Sequence, residues 1–315
     1  MKRTRRFVNG CALGATAALA AVTFWSAPAS AQLPPLFEFT GQYLPPSDVP
    51  DTPGLRAQVA SYDVAVNVPV PLGESTFLIP GLAHHTEGIS YQESPPGFIP
   101  VRTLRSFDAS LLFTQMLSDH WSVSLRPSVG LAGDLERIDS GVWRYGLVAM
   151  GTYVFGDDLV IGGGGLVSWS FGEVLPLPLF YLDWRPTKSW RFETSVPSFA
   201  ALTFALGDRW ELGAQADVAG NSYALRGDTV AVPCAAGGEC VDHVAYSVIA
   251  ASGSVRLRTW SSLWLSASIG HTLWRRFEQK NEGGQTVQSG PINLPNEPLF
   301  RVGLTWRIPE GDSAE

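Results

Sequence analysis

Long stretches of this chain alternate apolar residues with polar or small residues at a period of two. In 121–132 the odd positions carry Trp, Val, Leu, Pro, Val and Leu, whereas the even positions carry Ser, Arg, Gly and Ala. Successive side chains of a β-strand point to opposite faces, so this pattern predicts a strand with one apolar face. The alternation recurs in 55–71, 190–196, 210–221 and 299–308. The chain is therefore predicted to be an all-β protein.

Short segments rich in Gly, Asp, Ser and Pro separate the alternating runs, as in 156–158 and 207–209. These are the residue types that tight hairpin turns require. Longer polar loops alternate with the short turns, which places all the short turns at one end of an antiparallel meander. The expected count is fourteen strands, or twelve if 36–44 and the division of 190–206 at Pro197 are discounted. The predicted strands are 36–44, 55–71, 76–91, 102–117, 121–134, 142–155, 159–172, 175–185, 190–197, 199–206, 210–225, 242–258, 263–277 and 299–308.

The N-terminal residues have the order of a secretory signal peptide. Four basic residues lie between Lys2 and Arg6, an Ala-rich apolar stretch follows, and Ala29-Ser-Ala31 is a small-residue cleavage site. The apolar stretch, at about 15 residues, is shorter than the roughly 20 that a transmembrane helix needs. We therefore expect residues 1–31 to be a cleaved signal peptide, 32–308 an outer-membrane β-barrel, and 309–315 a short polar tail.

Aromatic residues cluster near the short turns, which favours a membrane rather than a protein core as the partner of the apolar face. Trp is enriched where a membrane meets water, and strands of about 9–11 residues suffice to cross. Lipid cannot satisfy an open strand edge, so the sheet must close. The predicted fold is a closed antiparallel transmembrane β-barrel, with a secreted soluble β-protein as an alternative. The predicted aromatic girdle is Trp121, Phe155, Trp184, Trp190, Trp210, Trp264 and Trp306, with Trp260 nearby.

Charged residues of both signs fall on the face opposite the apolar one, so they are expected inside the barrel. Two interpretations stay open: a water-filled pore with charged walls, or a network of ion pairs in a closed barrel. The candidate pore-lining residues are Asp63, Asp108, Arg126, Arg144, Arg191, Glu193, Asp217, Arg301 and Arg307. Asp183, Arg185, Arg256 and Arg258 are further candidates in strands whose alternation is less regular.

Other residue types give little sign of chemistry. Cys234 and Cys240 are separated by five residues and are expected to form a disulfide in an oxidising compartment. His84 and His85 are adjacent in a predicted strand, so they point to opposite faces and cannot hold one metal ion together. No nucleophile elbow, phosphate loop or zinc motif is present in the sequence, so an enzyme, a cofactor and a metal site are not expected. The net charge of −7 argues against nucleic acid as a partner.

Two resemblances support this interpretation. The last strand, 299–308, ends in alternating aromatic and aliphatic residues and resembles the C-terminal assembly signal of bacterial outer-membrane barrels, although 309–315 follow it. The stretch Leu175-Pro-Leu-Pro-Leu-Phe-Tyr-Leu-Asp-Trp-Arg-Pro186, followed by Trp190 and Val196-Pro197, resembles a family of uncharacterised outer-membrane barrels, the domain of unknown function 6268. That resemblance implies a fold and a location, but no activity.

The expected location is the outer membrane of a Gram-negative bacterium. The expected function is a porin-like passive channel for small polar or amphiphilic solutes, and the alternative within the envelope is a non-conducting structural or interaction barrel. Expected partners are outer-membrane lipid and, in transit, the periplasmic chaperone and barrel-assembly machinery. The oligomeric state is left open, because an apolar wall suits lipid and a neighbouring barrel equally.

Overall fold

The computed structural model describes residues 34–48, 56–92, 103–171, 173–226, 241–260, 262–281, 285–286 and 292–307. Within these ranges the chain forms fourteen strands longer than two residues. Two-residue strands, Val70–Pro71 and Ile292–Asn293, pair beside the strands Thr76–Gln92 and Leu263–Lys280. The fourteen strands are β1 Phe37–Asp48, β2 Arg56–Asn67, β3 Thr76–Gln92, β4 Thr103–Met116, β5 Trp121–Gly133, β6 Trp143–Phe155, β7 Leu159–Ser170, β8 Glu173–Trp184, β9 Trp190–Val196, β10 Phe199–Leu206, β11 Trp210–Ala224, β12 His243–Arg258, β13 Leu263–Lys280 and β14 Pro298–Trp306.

The sheet closes on itself as an antiparallel meander. Each strand pairs with its neighbour in the chain, and β14 pairs with β1 from Phe37–Trp306 to Tyr43–Phe300. Closure leaves neither the first nor the last strand with an open edge along this register. The predictions of an all-β meander, of fourteen strands and of a closed barrel are confirmed.

The outer face of the barrel is apolar and exposed. On β5, Trp121 and Leu125 point outward and are 51% and 43% exposed, whereas Ser122 and Ser124 point inward. The alternation that predicted the strands therefore separates the outside of the barrel from its interior. Within the described ranges, no helix combines the length and the apolar character needed to cross a membrane.

The β9–β10 hairpin is much shorter than the strands on either side of it. β9 pairs with residues 180–184 of β8, and β10 pairs with residues 210–217 of β11. Beyond the turn at Pro197–Ser198, residues 173–179 of β8 and 219–224 of β11 have no ladder with this hairpin. The barrel wall is thus lower here than elsewhere.

The long-loop halves of β11 and β12 fold into the barrel instead of continuing the wall. We call residues 218–225 and 241–248 the plug. Both of its faces are buried: Tyr223 and Val244 lie on one face and Ala224 and His243 on the other. A sheet segment buried on both faces must be enclosed by the rest of the protein.

The plug reaches β5 on another part of the barrel wall. Ala224 forms a parallel bridge with Gly133, and the N–H of Asp134 donates to the Ala224 carbonyl at 3.0 Å. A Cβ atom on Gly133 would lie only 2.6 Å from that carbonyl oxygen, so glycine is needed for this close approach. The long-loop end of the lumen is therefore filled by the chain itself. The apolar core there is formed by Leu104, Ala132, Val142, Phe171, Tyr223, Ala224, Leu225, Val241 and Val244.

Candidate functional site: the barrel interior

The predicted lining residues lie on the inward side of their strands. Residues that pair directly on neighbouring strands share one face of the sheet, and the strand register pairs these residues with others on the inner face. For example, Asp63 lies opposite His85 and Asp108 lies opposite Gly130. The nine residues placed on the inner side are Asp63, Asp108, Arg126, Arg144, Arg191, Glu193, Asp217, Arg301 and Arg307.

Ion pairs neutralise the interior charges near the short turns. Asp183 is only 2% exposed and accepts from the Arg191 Nε at 2.9 Å and the Arg185 Nη2 at 3.2 Å. Arg191 also contacts Glu193 at 2.9 Å, and Arg256 contacts Glu211 at 3.3 Å. A buried charge is costly without a partner, so these pairs are a requirement of the closed interior.

Trp264 lies inside the barrel, which corrects its assignment to the girdle. It pairs with Thr305 and Arg258 on the inward side, and the guanidinium carbons of Arg258 and Arg307 lie 5.8 and 5.9 Å from the centre of its ring. The physical reason is the alternation itself, because Trp264 shares its face with Ser266. The other girdle residues lie on the outer face and are exposed: Trp121, Phe155, Trp184, Trp190, Trp210 and Trp306.

A second aromatic group lies on the outer face at the opposite end. Trp143 and Tyr145 at the start of β6, Trp169 near the end of β7, and Trp274 on β13 are all exposed. The sequence interpretation placed a girdle only beside the short turns and missed this one. The sequence contained a sign of this second group, because Trp143 and Trp169 continue the outward alternation of their strands.

Charged side chains tie β11 to the surrounding wall, at Asp217 just before the plug and at Asn221 within it. Arg301 donates to both carboxylate oxygens of Asp217 at 2.8 Å and to Gln42 at 2.8 Å. Arg144 donates to Asp108 on β4 and to Asn221 in the plug. Such bidentate, charge-assisted bonds are geometrically specific. They hold the inward-folded strand against the walls formed by β14, β4 and β6.

The two adjacent histidines lie on opposite sides of the wall, as predicted. His85 faces the interior, where its Nδ1 lies 2.7 Å from Asp63, and Glu87 next to it contacts the plug through the Tyr223 hydroxyl at 3.4 Å. His84 faces outward and stacks on Phe107 with ring centres 4.2 Å apart. The described residues include no group of three or more His, Cys, Asp or Glu that could hold a metal ion.

A further charged cluster lies at the loop end of the plug. Arg226 contacts Asp139 at 3.0 Å and Asp242 at 2.8 Å. The His243 ring, whose Nδ1 lies 3.5 Å from the carboxylate, and the bonds from Arg226 hold the pKa of Asp242 below its ordinary value of 3.8, against the opposing effect of burial. Burial raises the pKa of Asp139, but bonds from the Gly141 N–H and Arg226 outweigh it and lower that pKa as well. Cys234 and Cys240 lie outside the described residues, so their predicted disulfide stays a prediction.

The inner wall of β6, β7 and β8 carries an apolar strip. Val148, Leu166, Leu177 and Leu179 pack together there, facing the lumen. Sequence interpretation did not find this strip, because the outward positions of the same strands are apolar too and the alternation is lost. The interior therefore has an apolar side beside its charged side.

A groove of about 660 Å³ lies on the wall of β9–β13. Its outward lining is made mostly of small residues, among them Ala200, Ala214, Ala216, Ala251 and Gly253. The groove belongs to the outer surface, and the candidate pore-lining residues do not contribute to it.

Comparison with known proteins gives a family but no activity. A family model described as domain of unknown function (DUF6268) matches residues 93–307. No curated protein matches the sequence. Solved structures that resemble the chain include an outer membrane channel from Pseudomonas putida F1, with 10% identity over 90% of this chain and 100% of that one and a TM-score of 0.46. The TodX monoaromatic hydrocarbon channel has 10% identity over 86% and 89% of the two chains and a TM-score of 0.44. The NanC porin has 11% identity over 86% and 100%, with a TM-score of 0.37.

Proposed function

Since the chain belongs to the family of domain of unknown function DUF6268, whose description assigns no activity, we propose a function from the barrel itself: an outer-membrane channel for small amphiphilic molecules. The observation that carries this proposal is the inner wall of mixed character. Val148, Leu166 and Leu177 face the lumen on β6, β7 and β8, and the Arg191–Asp183 ion pair faces it on β8 and β9, nearer the short turns.

The outer surface supports a position in a membrane. The exposed aromatic residues form two groups, and Tyr145 and Phe155 on β6 belong to opposite groups. Ten residues of strand rise about 34 Å, or about 26 Å along the membrane normal at a tilt of about 40°. This matches the apolar band of outer-membrane barrels, which is about 25 Å tall. Together with the expected signal peptide, it favours the outer membrane of a Gram-negative bacterium.

The plug favours a channel that opens transiently over one that is always open. Among its contacts with the wall are side-chain bonds, such as Arg144–Asn221 and Tyr223–Glu87, which side-chain rotation can release. The same plug is the observation that favours a second candidate function, a non-conducting structural barrel.

Conductance in planar bilayers tests the proposal. The purified full-length protein is expected to give small, discrete conductance steps, because the plug fills one end of the lumen. Asn221→Ala removes one of the plug's bonds while Arg144 keeps Asp108, so it should increase the open fraction. Ser128→Ala, on the inner face of β5, is the matched control and should leave the open fraction unchanged.

Solute preference is tested in the same bilayers. Octanoate carries an apolar chain and gluconate a polar one, and both carry one negative charge. Octanoate should block the current more strongly if the apolar strip contributes to binding. The absence of any conductance at several voltages, in the native protein and in Asn221→Ala alike, would instead favour the non-conducting barrel.

A further inference from the structure

Above the β9–β10 hairpin the wall has a gap: β8 stays in the wall with a free edge, whereas β11 turns inward into the plug. Residues 173–179 of β8 pair only with β7, and residues 219–223 of β11 pair only with β12, among the described residues. β9 has seven residues, which rise about 18 Å along the membrane normal at a tilt of about 40°. The apolar band is about 25 Å tall, so the hairpin ends inside it.

These edges bound a window in the barrel wall. The turn at Pro197–Ser198 forms its lower border, since the Val218 N–H donates to the Ser198 carbonyl at 2.8 Å. At the top, Lys280 Nζ donates to both carboxylate oxygens of Glu173 at 3.0 Å and joins β13 to β8. The free edge of β8 forms one side, and the inward turn of β11 into the plug forms the other.

The residues of the β8 edge suit a border without a partner strand. Pro176 and Pro178 occupy alternate, outward positions on this edge. Proline has no N–H to donate, and in sheets it is confined to edges and irregularities. Exposed backbone at membrane depth is tolerated only where it is buried in protein or lines a hydrated cavity. The window must therefore be continuous with the lumen or covered by protein.

Apolar side chains inside the barrel extend as far as this window. Leu177 belongs to the apolar strip with Val148 and Leu166, and it lies on the free edge of β8 itself. The route along the barrel axis, by contrast, is filled at the long-loop end by the plug. An apolar group inside the lumen can therefore follow apolar side chains sideways to the window, whereas the packed plug closes the route along the barrel axis.

We propose that the window between β8 and β11 is a lateral opening through which small amphiphilic molecules pass between the lumen and the surrounding lipid. This proposal rests on the proposed channel function and specifies the route by which the solute passes between the lumen and the membrane. The charged end of such a molecule remains beside the interior ion pairs while its apolar part follows Leu177 and Leu175 to the membrane.

Lipid contact measured by fluorescence quenching tests the window without requiring conductance. Cys11, Cys234 and Cys240 are replaced by Ser, and a bimane label is placed at Leu177→Cys, which faces inward at the free edge. Val148→Cys is the matched control, because Val148, Leu166 and Leu177 form one row across β6, β7 and β8, and Val148 has a paired strand on both sides. Leu147→Cys, which faces outward, reports full lipid contact.

Each labelled protein is reconstituted in dioleoylphosphatidylcholine and in the same lipid with dibrominated chains. The label at Leu177 is expected to be quenched severalfold more than the label at Val148, and to approach the label at Leu147. Equal quenching at Leu177 and Val148, whether low or high, would overturn the proposal, because the wall would be closed or the lipid would enter elsewhere. Leu175→Cys provides a second position on the same edge if Leu177→Cys does not fold. Strong quenching of the label at Leu177 together with an absence of conductance would refute the proposed channel function but would still support the lateral opening.

Discussion

At the scale of single residues, contacts with oppositely charged side chains allow a charged side chain such as Asp183 to be buried in this barrel. Asp183 is almost fully buried and still carries two guanidinium contacts, from Arg185 and Arg191. Removing one partner of a buried ion pair costs about 3–5 kcal/mol, because the remaining charge stays in a poorly solvated place. The interior charges therefore stabilise the closed barrel as well as shaping its polarity.

The loop cluster around Arg226 predicts a loss of stability in acid. The folded pKa values of Asp139 and Asp242 lie below the ordinary value of 3.8. Carboxylates of this kind stabilise the fold above their unfolded pKa and lose that contribution as the pH falls through the folded pKa. Both groups are partly exposed, so solvent screening limits the effect to about 1 kcal/mol.

The measurement compares native protein with Arg226→Gln by guanidinium unfolding in detergent micelles. At pH 7 the native protein should be more stable by about 1 kcal/mol, and the difference should shrink as the pH falls below the ordinary pKa of 3.8 and through the lower folded pKa values of the two carboxylates. A difference that is unchanged in acid would mean that Arg226 acts through packing and not through these two carboxylates. Arg137→Gln is the control, because Arg137 lies 4.0 Å from Asp139 and is largely exposed.

At the scale of elements, the plug is the part of the fold that alternation did not predict. Up to Asp217, β11 alternates as a wall strand should, and this half was predicted correctly. From Gly220 onward both faces are buried, and small residues such as Gly220 and Ser222 replace the large outward side chains. Period two defines the two faces of a strand, but it does not say whether lipid or protein covers a face of small residues. The one sign in the sequence is that no large residue follows Val218 on the outward face of this strand.

Gly133 tests how closely the plug approaches β5. Gly133→Val places side-chain atoms against the backbone carbonyl of Ala224, which cannot move aside as a side chain would. Overpacking of this kind costs about 1–3 kcal/mol. We expect the plug to be displaced, with a larger open fraction in planar bilayers and a lower unfolding midpoint.

The control for this change is Gly163→Val. A Cβ atom there meets nothing within 4 Å, and the position faces outward on β7. It should leave both the open fraction and the unfolding midpoint near the native values. If Gly133→Val behaves like Gly163→Val, the contact between the plug and β5 does not restrain the channel.

At the scale of the whole molecule, the direction of the apolar face decides between a membrane barrel and a soluble one. Leu125 lies in the middle of β5 and faces outward, whereas Leu117 is exposed in the turn before it. Arginine on the lipid face costs about 2–4 kcal/mol at the middle of the membrane and about 0–1 near its surface. Leu125→Arg should therefore be much more destabilising than Leu117→Arg when unfolding is measured in lipid vesicles. Equal effects of the two changes would favour the secreted soluble alternative.

The general plan of the molecule was predictable, while its interior was only partly so. Turn residues and alternation predicted the strands, their order and the inward position of residues such as Arg126 and Asp217. The pairing of Arg301 with Asp217, and of Arg144 with Asn221, was not predictable, because it depends on how far one hairpin bends into the lumen. Long-range contacts of this kind leave no local pattern in the chain.

The prolines at the edge of β8 have a consequence for how the chain behaves before it is embedded. An unpaired strand edge is a template on which a second polypeptide can add a strand and begin to aggregate. Pro176 and Pro178 remove two donors from the seven residues of this edge that pair only with β7, so an incoming strand would find its ladder interrupted. The prolines at this unpaired edge therefore also hinder edge-to-edge aggregation between copies of the protein.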